Sequence, residues 1–575
     1  MKSLIRFKLL MTSILFMFAF FTTTSVFAQF SGGDGTEGNP YIITTATQLA
    51  QLATYVNEGN NDFNDKHYKL DADLDLSDYS SSFNDGEGWI PIGFSQSFTG
   101  VFDGNNKKIT NLYINIVNYS IVSGLFGGVT ASGTIKNLGV ENADITSFSS
   151  GTGCVVGYNS GTVTNCYSTG IISESGNNTT YTGGVVGNNT GIVSNCYSNI
   201  AVTSSSNQPF AGGVVGYNNR GVVSYCYSTG TVTALGNNRT YSGGVVGNND
   251  RESTLSKCYS SCTVTSEGYY SYAGGVVGHN FYNCSVLNCY STGDVNALGD
   301  YTYAGGVAGS NGYLFDFTLR EDNNYGVFDC YSTGKVTASG SLGSFAGGVI
   351  GCNSNMVSNC YSISSVVVSG SSSLLYAGGI VGLILSQGII SNCAALNPDL
   401  TCNNTEIYFG RVVVPWFYLL INNIAFNNML NPNGDSTWDN KGHDQSDGAD
   451  FTVEEINADA TLGGRFTIEN GWTTQNGKLP GLFGKTVNMP DHLGGTNISN
   501  NLVSQKLIVY AQNGKLYING LIDGEKWYIY DLAGRLIYEN TAPSNVDTWH
   551  AASLQIPAGI YIIQSKNEKT KIVIN

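Results

Sequence analysis

Apolar and polar positions between residues 121 and 395 recur in blocks of about 30 residues. Within a block, valine and other apolar residues alternate with threonine, serine and asparagine over short runs, which is typical of β-strands. Because a fixed period of this size is typical of solenoids, we predict that each block forms one coil. Each block contains a glycine–apolar–apolar–glycine stretch, whose closing glycines are Gly127, Gly157, Gly187, Gly216, Gly247, Gly278, Gly309, Gly351 and Gly382.

The corners of the coil are indicated by a cysteine and an apolar residue three positions before it, as in Cys166 and Val163. Residues three apart face opposite sides of a straight strand, so a corner must separate two positions that both point inward. Asparagine, which tolerates the left-handed backbone of such a corner, precedes the cysteine in five of eight blocks. Short strands joined by corners predict an all-β fold, a parallel β-helix with coils of about 30 residues.

Residues outside the repeats predict two caps and a separate C-terminal module. Residues 29–120 are expected to form an N-terminal cap and the first coils, with a capping helix that begins after Thr45. Residues 396–484 lose the repeat and are expected to cap the far end, and residues 485–504 have the composition of a linker. Residues 505–575 contain six candidate strands separated by turn signals, which predicts a small antiparallel β-sandwich.

The first 28 residues have the features of a secretory signal peptide. A basic start is followed by a mostly apolar run at residues 9–21, which is too short to span a bilayer, and then by Val26-Phe27-Ala28, a typical cleavage sequence. Cleavage there would make Gln29 the first residue. No other run of 18 apolar residues occurs, so we expect no transmembrane segment in the mature chain.

Charge narrows the classes of function that fit the chain. The net charge of −16 argues against nucleic acid or an anionic membrane as a partner. Residues 121–395 contain only 7 Lys or Arg and 12 Asp or Glu, and none recurs at a fixed repeat position. The five histidines are scattered, and the chain has no His-Glu-x-x-His and no Gly-x-Ser-x-Gly motif. We therefore expect no cofactor, no metal site and a non-catalytic function.

A carbohydrate-active enzyme, either a polysaccharide lyase or a glycoside hydrolase, is the alternative class of function for a β-helix. Its chemistry needs carboxylates or a base grouped on adjacent coils. One candidate group lies in or near an insertion and contains Asp316, Arg320, Glu321, Asp322 and Asp329. A second group, which could instead bind calcium or form a solvated loop, contains Asp435, Asp439, Asp444, Asp447 and Asp450.

Eight of the 13 cysteines occupy one repeat position. Stacked coils would hold these side chains about 4.8 Å apart, which exceeds the Cβ separation of about 3.8 Å in a disulfide. We expect an inert ladder of buried thiols rather than disulfides or a thread of metal ions. The ladder contains Cys166, Cys196, Cys226, Cys258, Cys289, Cys330, Cys360 and Cys393. Five cysteines lie outside this column and could form disulfides, but the sequence does not assign their partners: Cys154, Cys262, Cys284, Cys352 and Cys402.

Two aromatic positions also recur with the period of the coil. The tyrosine after each inward cysteine is expected to point outward, where a row of tyrosines could stack on sugar rings and bind glycan. Alternatively, the rings stack on one another and stiffen the rod. This row, the tyrosine ladder, contains Tyr167, Tyr197, Tyr227, Tyr259, Tyr290, Tyr331 and Tyr361. The second column contains Tyr181, Phe210, Tyr241, Tyr272, Tyr303, Phe345 and Tyr376.

The repeat resembles the GLUG family. Gly124-Leu125-Phe126-Gly127 and the Gly-Val-Val-Gly units match its glycine–apolar–apolar–glycine signature, and Asn-Cys-Tyr-Ser-Thr-Gly also resembles that family. The resemblance covers about half of the chain and implies a β-helix in a secreted or surface protein, without implying one activity. Some relatives carry a zinc protease domain, but this chain lacks the zinc-binding motif of such a domain.

The last 70 residues resemble the C-terminal sorting domain of type IX secretion cargo in Bacteroidetes. Two motifs carry the resemblance, and their matching residues are Tyr530, Asp531, Gly534, Arg535, Pro557, Gly559 and Tyr561. The resemblance implies the type IX secretion machinery as a partner, and an extracellular or outer-membrane surface location. We therefore expect a secreted or cell-surface β-helix protein that acts in adhesion, binding polysaccharide or a host or matrix glycan.

Overall fold

The computed structural model describes residues 29–116, 120–312, 325–385, 388–404, 407–414 and 419–494, together with six strands and Arg535 nearer the C-terminus. The chain divides into two compact units, Met1–Gly495 and Thr496–Asn575. The predicted signal peptide, residues 1–28, lies outside the described residues. None of the helices in the described part of the chain is long and apolar enough to cross a lipid bilayer.

The first unit is a parallel β-helix, which confirms the predicted fold. Equivalent residues of successive coils pair in parallel, so that Val163 pairs with Val193 and Val193 pairs with Val223. One face is a sheet of nine strands that follow the glycine corners: Phe126–Val129, Val156–Asn159, Val186–Asn189, Val215–Asn219, Val246–Asp250, Val277–Asn280, Ala308–Asn311, Ile350–Asn353 and Val381–Ile384.

The rest of each coil belongs to one continuous sheet that bends around the solenoid. In chain order, its 38 strands among the described residues are Tyr41–Ile43, His67–Leu70, Leu74–Asp75, Val101–Thr110, Tyr113–Asn115, Ser120–Ser123, Thr134–Ser147, Ser149–Gly153, Thr162–Thr164, Tyr167–Glu174, Thr179–Gly183, Ile192–Ser194, Tyr197–Ser205, Gln208–Gly212, Val222–Ser224, Tyr227–Ser228, Thr231–Leu235, Arg239–Gly243, Thr254–Ser256, Tyr259–Ser260, Thr263–Gly274, Ser285–Leu287, Tyr290–Ser291, Val295–Gly305, Gly326–Phe328, Tyr331–Ser332, Val336–Gly347, Met356–Ser358, Tyr361–Ser362, Val366–Gly370, Leu375–Gly378, Ile389–Ser391, Ala394–Ala395, Leu400–Cys402, Tyr408–Gly410, Leu419–Ile421, Ile424–Phe426 and Ala449–Phe451.

The corner before each cysteine adopts the left-handed backbone that the sequence predicts. Its φ angles are 53° at Asn165 and 52° at Asn195, and Tyr225, Lys257 and Asp329 share the conformation at the equivalent position. The corner therefore does not require asparagine, although asparagine adopts it at less cost.

The glycine corner is shaped by close approach of the backbone. A Cβ atom at Gly212 would lie 1.9 Å from Val215 O, so a side chain cannot be accommodated there without moving the chain.

Valines and the column cysteines fill the interior, and a ladder of buried asparagines runs beside them. Each asparagine except the last, Asn353, donates its side-chain N–H to the side-chain oxygen of the asparagine in the next coil, at distances from 2.7 to 2.9 Å. Sequence analysis did not identify this ladder, although its residues follow a visible period. It contains Asn159, Asn189, Asn218, Asn249, Asn280, Asn311 and Asn353.

The N-terminal end is covered by the predicted helix, which spans Ala46–Asn57. Its N-cap residue, Thr45, accepts a hydrogen bond from Gln48 N, while Gln48 Oε1 accepts one from Thr44 N. Leu49, Leu52 and Val56 are buried against the first coils. The short helix Asn61–Asn64 follows, and 3₁₀ turns occur at Ser77–Tyr79 and Asn84–Gly86.

Parallel pairing continues beyond residue 395 as far as Ala449–Phe451, and the helix Val453–Ala458 comes next. Residues 460–494, named here the return segment, then fold back onto the solenoid. The segment contains 3₁₀ turns at Ile468–Asn470 and Asp491–Leu493. His492 Nε2 lies 2.8 Å from Leu396 O, so residues that the composition placed in a linker are packed in the first unit.

The strands that the structure describes in the second unit pair in antiparallel fashion, as the sequence predicts. Ile508–Gln512 pairs with Lys515–Asn519. A four-stranded sheet follows, in the order Leu536–Thr541, Lys526–Asp531, Gly559–Gln564 and Lys569–Ile574. Trp527 and Ile529 are buried.

Candidate ligand-binding surfaces

The tyrosine ladder forms a continuous stack of aromatic rings. Neighbouring ring centroids lie 4.7 to 5.1 Å apart, with interplanar angles of 2° to 6°. From Tyr197 to Tyr331, each ring therefore has both faces covered by its neighbours. This is the stacked arrangement that stiffens the rod, and it leaves ring edges and hydroxyls rather than ring faces for a sugar to contact.

The sequence predicts that the ladder tyrosines point outward, but Tyr290, Tyr331 and Tyr361 are buried in the structure and so are not accessible to a ligand. The return segment covers them. Trp472 lies 5.8 Å from the Tyr361 ring, and the Tyr361 hydroxyl donates to Pro480 O over 2.5 Å. Three further contacts complete the cover: Trp472 to Tyr331, Phe483 to Tyr290 and Phe466 to Tyr361.

The four remaining ladder tyrosines are half-buried: Tyr167, Tyr197, Tyr227 and Tyr259. Tyr167 donates to Glu141 Oε1 over 2.7 Å, and Lys108 pairs with the same carboxylate at 2.8 Å. Burial raises the pKa of Tyr259 to about 12, so its hydroxyl stays protonated at physiological pH.

The second aromatic column borders a cleft of about 350 Å³, named here the aromatic groove. It lies where the strands before the glycine corner meet the nine-stranded sheet. Tyr241 stacks on Tyr272 at 5.0 Å, and His279 lies 5.4 and 5.5 Å from these two rings. The lining residues are Thr179, Tyr181, Gln208, Phe210, Tyr217, Arg239, Tyr241, Asn248, Asp250, Tyr272, His279 and Phe281.

The wall of the groove on the nine-stranded sheet is polar. Asp250 is only 8% exposed and Asn248 only 6%. Tyr217 donates its hydroxyl to Asp250 Oδ2 over 2.7 Å, and Arg251 Nε lies 3.8 Å from the same oxygen. Burial and the hydrogen bond to Asp250 raise the pKa of Tyr217 well above its ordinary value, so Tyr217 remains a donor. Asp250 Oδ1 and Asn248 Oδ1 have no hydrogen-bond partner among the described residues.

His279 is a neutral member of this wall. Burial lowers the pKa of His279 to about 4. Its Nε2 lies 3.3 Å from Gly312 O, and because a carbonyl can only accept, Nε2 carries the proton and Nδ1 is an acceptor. On the opposite rim, the exposed guanidinium of Arg239 lies 5.8 Å from the Tyr270 ring.

The groove residues could have been noticed in the sequence as departures from the repeat. Asp250 pairs in register with Asn219, and His279 pairs with Asn248 and Ser310. Asp250 thus places a carboxylate, and His279 an imidazole, at positions where the adjacent coils have asparagine or serine.

All 13 cysteines are free thiols in the structure, and the eight column cysteines are buried. Cys226 N donates to Cys258 Sγ over 3.3 Å, and Cys226 Sγ donates to Ser224 O over 3.2 Å. Burial raises the pKa of the Cys284 thiol to about 12. Within the described residues, no group of three or more His, Cys, Asp or Glu is placed to hold a metal ion.

The acidic loop does not form a shared carboxylate site among the described residues, because its members bind different protein donors. Asp450 pairs with Arg411 at 2.7 Å and with Lys441 at 3.0 Å. Asp447 accepts from Arg411 N and from Asn440 N. Asp435 accepts from Thr437 N, and Asp444 from Asn422 N.

The other candidate charged group lies mostly outside the described residues, namely at Asp316, Arg320, Glu321 and Asp322. Asp329 is described. It accepts from Asn359 Nδ2 and Trp472 Nε1, and burial raises its pKa to about 6.

The two motifs that resemble those of a sorting domain contribute to the four-stranded sheet, where Asp531 pairs in register with Tyr561 and Tyr530 with Ile562. Arg535 Nε donates to Asp531 Oδ2 over 3.0 Å, and Arg535 N donates to Asp531 Oδ1. Gly559 begins the strand that contains Tyr561. Gly534 and Pro557 lie outside the described residues.

Comparisons with known proteins agree with the repeat. Residues 211–233 and 269–296 match the GLUG motif, so the chain carries GLUG repeats. A protein of Evansella cellulosilytica, named as a candidate Gly-rich membrane protein, is 37% identical over 118 residues, which are 20% of this chain and 13% of that protein. Halomucin of Haloquadratum walsbyi is 34% identical over 143 residues, which are 24% of this chain and 2% of halomucin. The chain thus spans only a small part of these relatives.

A solved structure of a candidate immunoglobulin A1 protease from Bacteroides ovatus is 19% identical to this chain. The alignment covers 80% of this chain and 96% of the other, with a TM-score of 0.26. A likeness of that size carries no argument about function.

Proposed function

We propose that this protein is a secreted or cell-surface β-helix rod that binds polysaccharide in the aromatic groove and does not cleave it. The observation that carries the proposal is the pair of buried acceptors, Asn248 Oδ1 and Asp250 Oδ1, beside the rings of Tyr241 and Tyr272. Sugars present apolar C–H faces and hydroxyls together, and sites that recognise small polar ligands combine aromatic surface with a few placed polar groups.

Surface location is part of the same proposal. It is supported by the GLUG repeats, by the names of the two relatives and by the resemblance of residues 505–575 to a sorting domain. In this proposal the type IX secretion machinery exports the chain, and a polysaccharide or a host or matrix glycan is its ligand. The rod then acts in adhesion.

The tyrosine ladder has a different role in this proposal from the aromatic groove. Its ring faces are used within the stack, so the ladder stiffens the solenoid, and only Tyr167, Tyr197, Tyr227 and Tyr259 offer edges to a ligand. In this proposal the glycan binds in the groove and does not need these edges.

Binding is favoured over hydrolysis by the number of carboxylates in the groove. Glycoside hydrolysis uses two carboxyl groups placed about 5 to 9.5 Å apart across the scissile bond. Asp250 is the one carboxylate among the described residues that line the groove. Neutral His279 and protonated Tyr217 do not supply a second acid–base pair with suitable pKa values.

Retention of the full chain on a panel of immobilised plant, algal and host polysaccharides tests this function. We expect retention on at least one polymer without newly formed chain ends. Tyr241→Ala should abolish retention, whereas the matched variant Tyr227→Ala, which removes a stacked tyrosine from the ladder, should leave it nearly unchanged. New chain ends would instead establish the carbohydrate-active enzyme, and no retention on any polymer would contradict the proposed function.

A further inference from the structure

Four of the polar atoms left unsatisfied in and beside the aromatic groove are side-chain carbonyl or carboxylate oxygens, which only accept. Asn188, Asn219, Asn248 and Asp250 each have an Oδ1 atom that is buried and without a hydrogen-bond partner among the described residues. The four lie on three successive strands of the nine-stranded sheet, since Tyr217 pairs with both Asn188 and Asn248, and Asn219 pairs with Asp250. Leaving such atoms unpaired is costly, so a ligand that donates to them gains affinity.

We infer that the groove takes a neutral glycan, which it recognises through the hydroxyl groups that the sugar donates, and that it discriminates against acidic glycans. This inference rests on the proposed function and names the class of its ligand. Sugar hydroxyls donate to the polar wall at Asn248 and Asp250, while C–H groups of the sugar contact the ring edges of Tyr241 and Tyr272.

Asp250 is the residue on which the discrimination depends. An asparagine amide can present either an oxygen or an N–H group, but an ionised carboxylate only accepts. Tyr217 already donates to Oδ2, which holds the side chain in place, while Oδ1 is buried and has no partner among the described residues. The carboxylate of a uronic acid would bring a second anion and further acceptors to this wall, which is unfavourable in a buried position.

The other titratable and charged groups that face the wall do not reverse the preference for a neutral glycan. His279 is neutral and presents its Nδ1 acceptor. Arg251 Nε already lies near Asp250 Oδ2. Arg239 lines the rim of the groove beside Tyr241 and Tyr270, where exposure to solvent weakens the attraction of its charge for an anionic ligand.

Titration of the full chain with hexasaccharides tests the inference. Cellohexaose, laminarihexaose and mannohexaose serve as neutral probes, and hexagalacturonate and a guluronate hexamer as acidic probes, all at the same ionic strength. We expect at least one neutral probe to bind and the acidic probes to bind at least about tenfold more weakly. Asp250→Asn should weaken neutral binding about tenfold, because a hydrogen bond to a charged acceptor is lost. Asp144→Asn, which removes the same charge at an exposed position, should change nothing.

Two results would overturn this inference. Preference of the native chain for an acidic probe, or acidic binding by Asp250→Asn that is no tighter than that by the native chain, would contradict the ligand class while leaving glycan binding in place. Binding of neither class, with no retention on the polysaccharide panel, would contradict the proposed function and this inference together.

Discussion

Trp472 donates its indole N–H to Asp329 Oδ1 over 3.3 Å, although 143 positions separate the two residues. The contact holds the return segment against the tyrosine ladder, beside Tyr331 and Tyr361. The chain itself therefore occupies the C-terminal half of the surface that the sequence suggested for a ligand.

Replacing Trp472 tests whether the return segment is held by these aromatic contacts. Trp472 is 2% exposed, and truncation of such a side chain typically costs about 3 to 5 kcal/mol. Trp472→Ala should therefore increase hydrogen exchange in residues 460–494 and around Tyr331 and Tyr361, while exchange around Tyr167 stays unchanged. Trp472→Phe, which keeps an aromatic ring but loses the N–H group, should have a smaller effect. Unchanged exchange in the alanine variant would contradict this account of the segment.

Glu174 makes the stability of the rod depend on pH. Burial raises its pKa to about 7, although Ser204 Oγ and Gly176 N donate to the carboxylate. A carboxyl group with a raised pKa favours the folded state at low pH, and this contribution is lost as the pH rises from about 4.5 through about 7.

Glu174→Gln should therefore remove this pH dependence. We expect the glutamine variant to be more stable than the native chain at pH 8.5, by about 2 to 3 kcal/mol, and similar to it at pH 4.5. Thermal unfolding at the two pH values measures the difference. The control is Glu267→Gln, which changes an exposed glutamate. Equal effects of the two substitutions at pH 8.5 would contradict the role of Glu174.

The cysteine ladder should be both reduced and unreactive in the folded protein. The thiolate is the reactive form, and burial raises the pKa of thiols such as Cys166 and Cys258. Thiol titration should find few reactive groups in the native chain and 13 after denaturation without reductant. A denatured chain in which most of the eight column cysteines are bridged would overturn the ladder.

The asparagine ladder should contribute strongly to stability. Asn249 accepts from Asn218 and donates to Asn280, so Asn249→Ala leaves a buried donor and a buried acceptor without partners. We expect a loss of about 2 to 4 kcal/mol in thermal or urea unfolding. Asn238→Ala, at an exposed position, should cost less than about 0.5 kcal/mol. A small effect of Asn249→Ala would mean that water replaces the lost hydrogen bonds.

The sequence predicts the solenoid well because the determinants of a coil are local. Asn165 and Asn195 mark a left-handed corner by their residue type, and the 30-residue period aligns Cys166 with Cys196. The burial of Tyr361 under the return segment could not be predicted in this way. It depends on a contact with Pro480, which lies 119 positions away in a segment without repeats.

The aromatic groove was missed for a different reason. A consensus describes what the repeats share, so it does not show a residue that differs in a single coil. Asp250 and His279 are such residues, at positions where adjacent coils have asparagine or serine. The recurring column that contains Tyr241 and Tyr272 was visible in the sequence, but only the structure places it beside Asn248 and Asp250 in one cleft.

Hydroxyl-radical footprinting of the full chain, with and without the neutral hexasaccharide that binds most tightly, tests the central claim most directly. The account predicts protection of peptides that contain Phe210, Tyr241 and Tyr272, and no change at Tyr167 or Tyr197. Protection confined to the tyrosine ladder, the return segment or residues 505–575 would contradict the assignment of the aromatic groove as the glycan site.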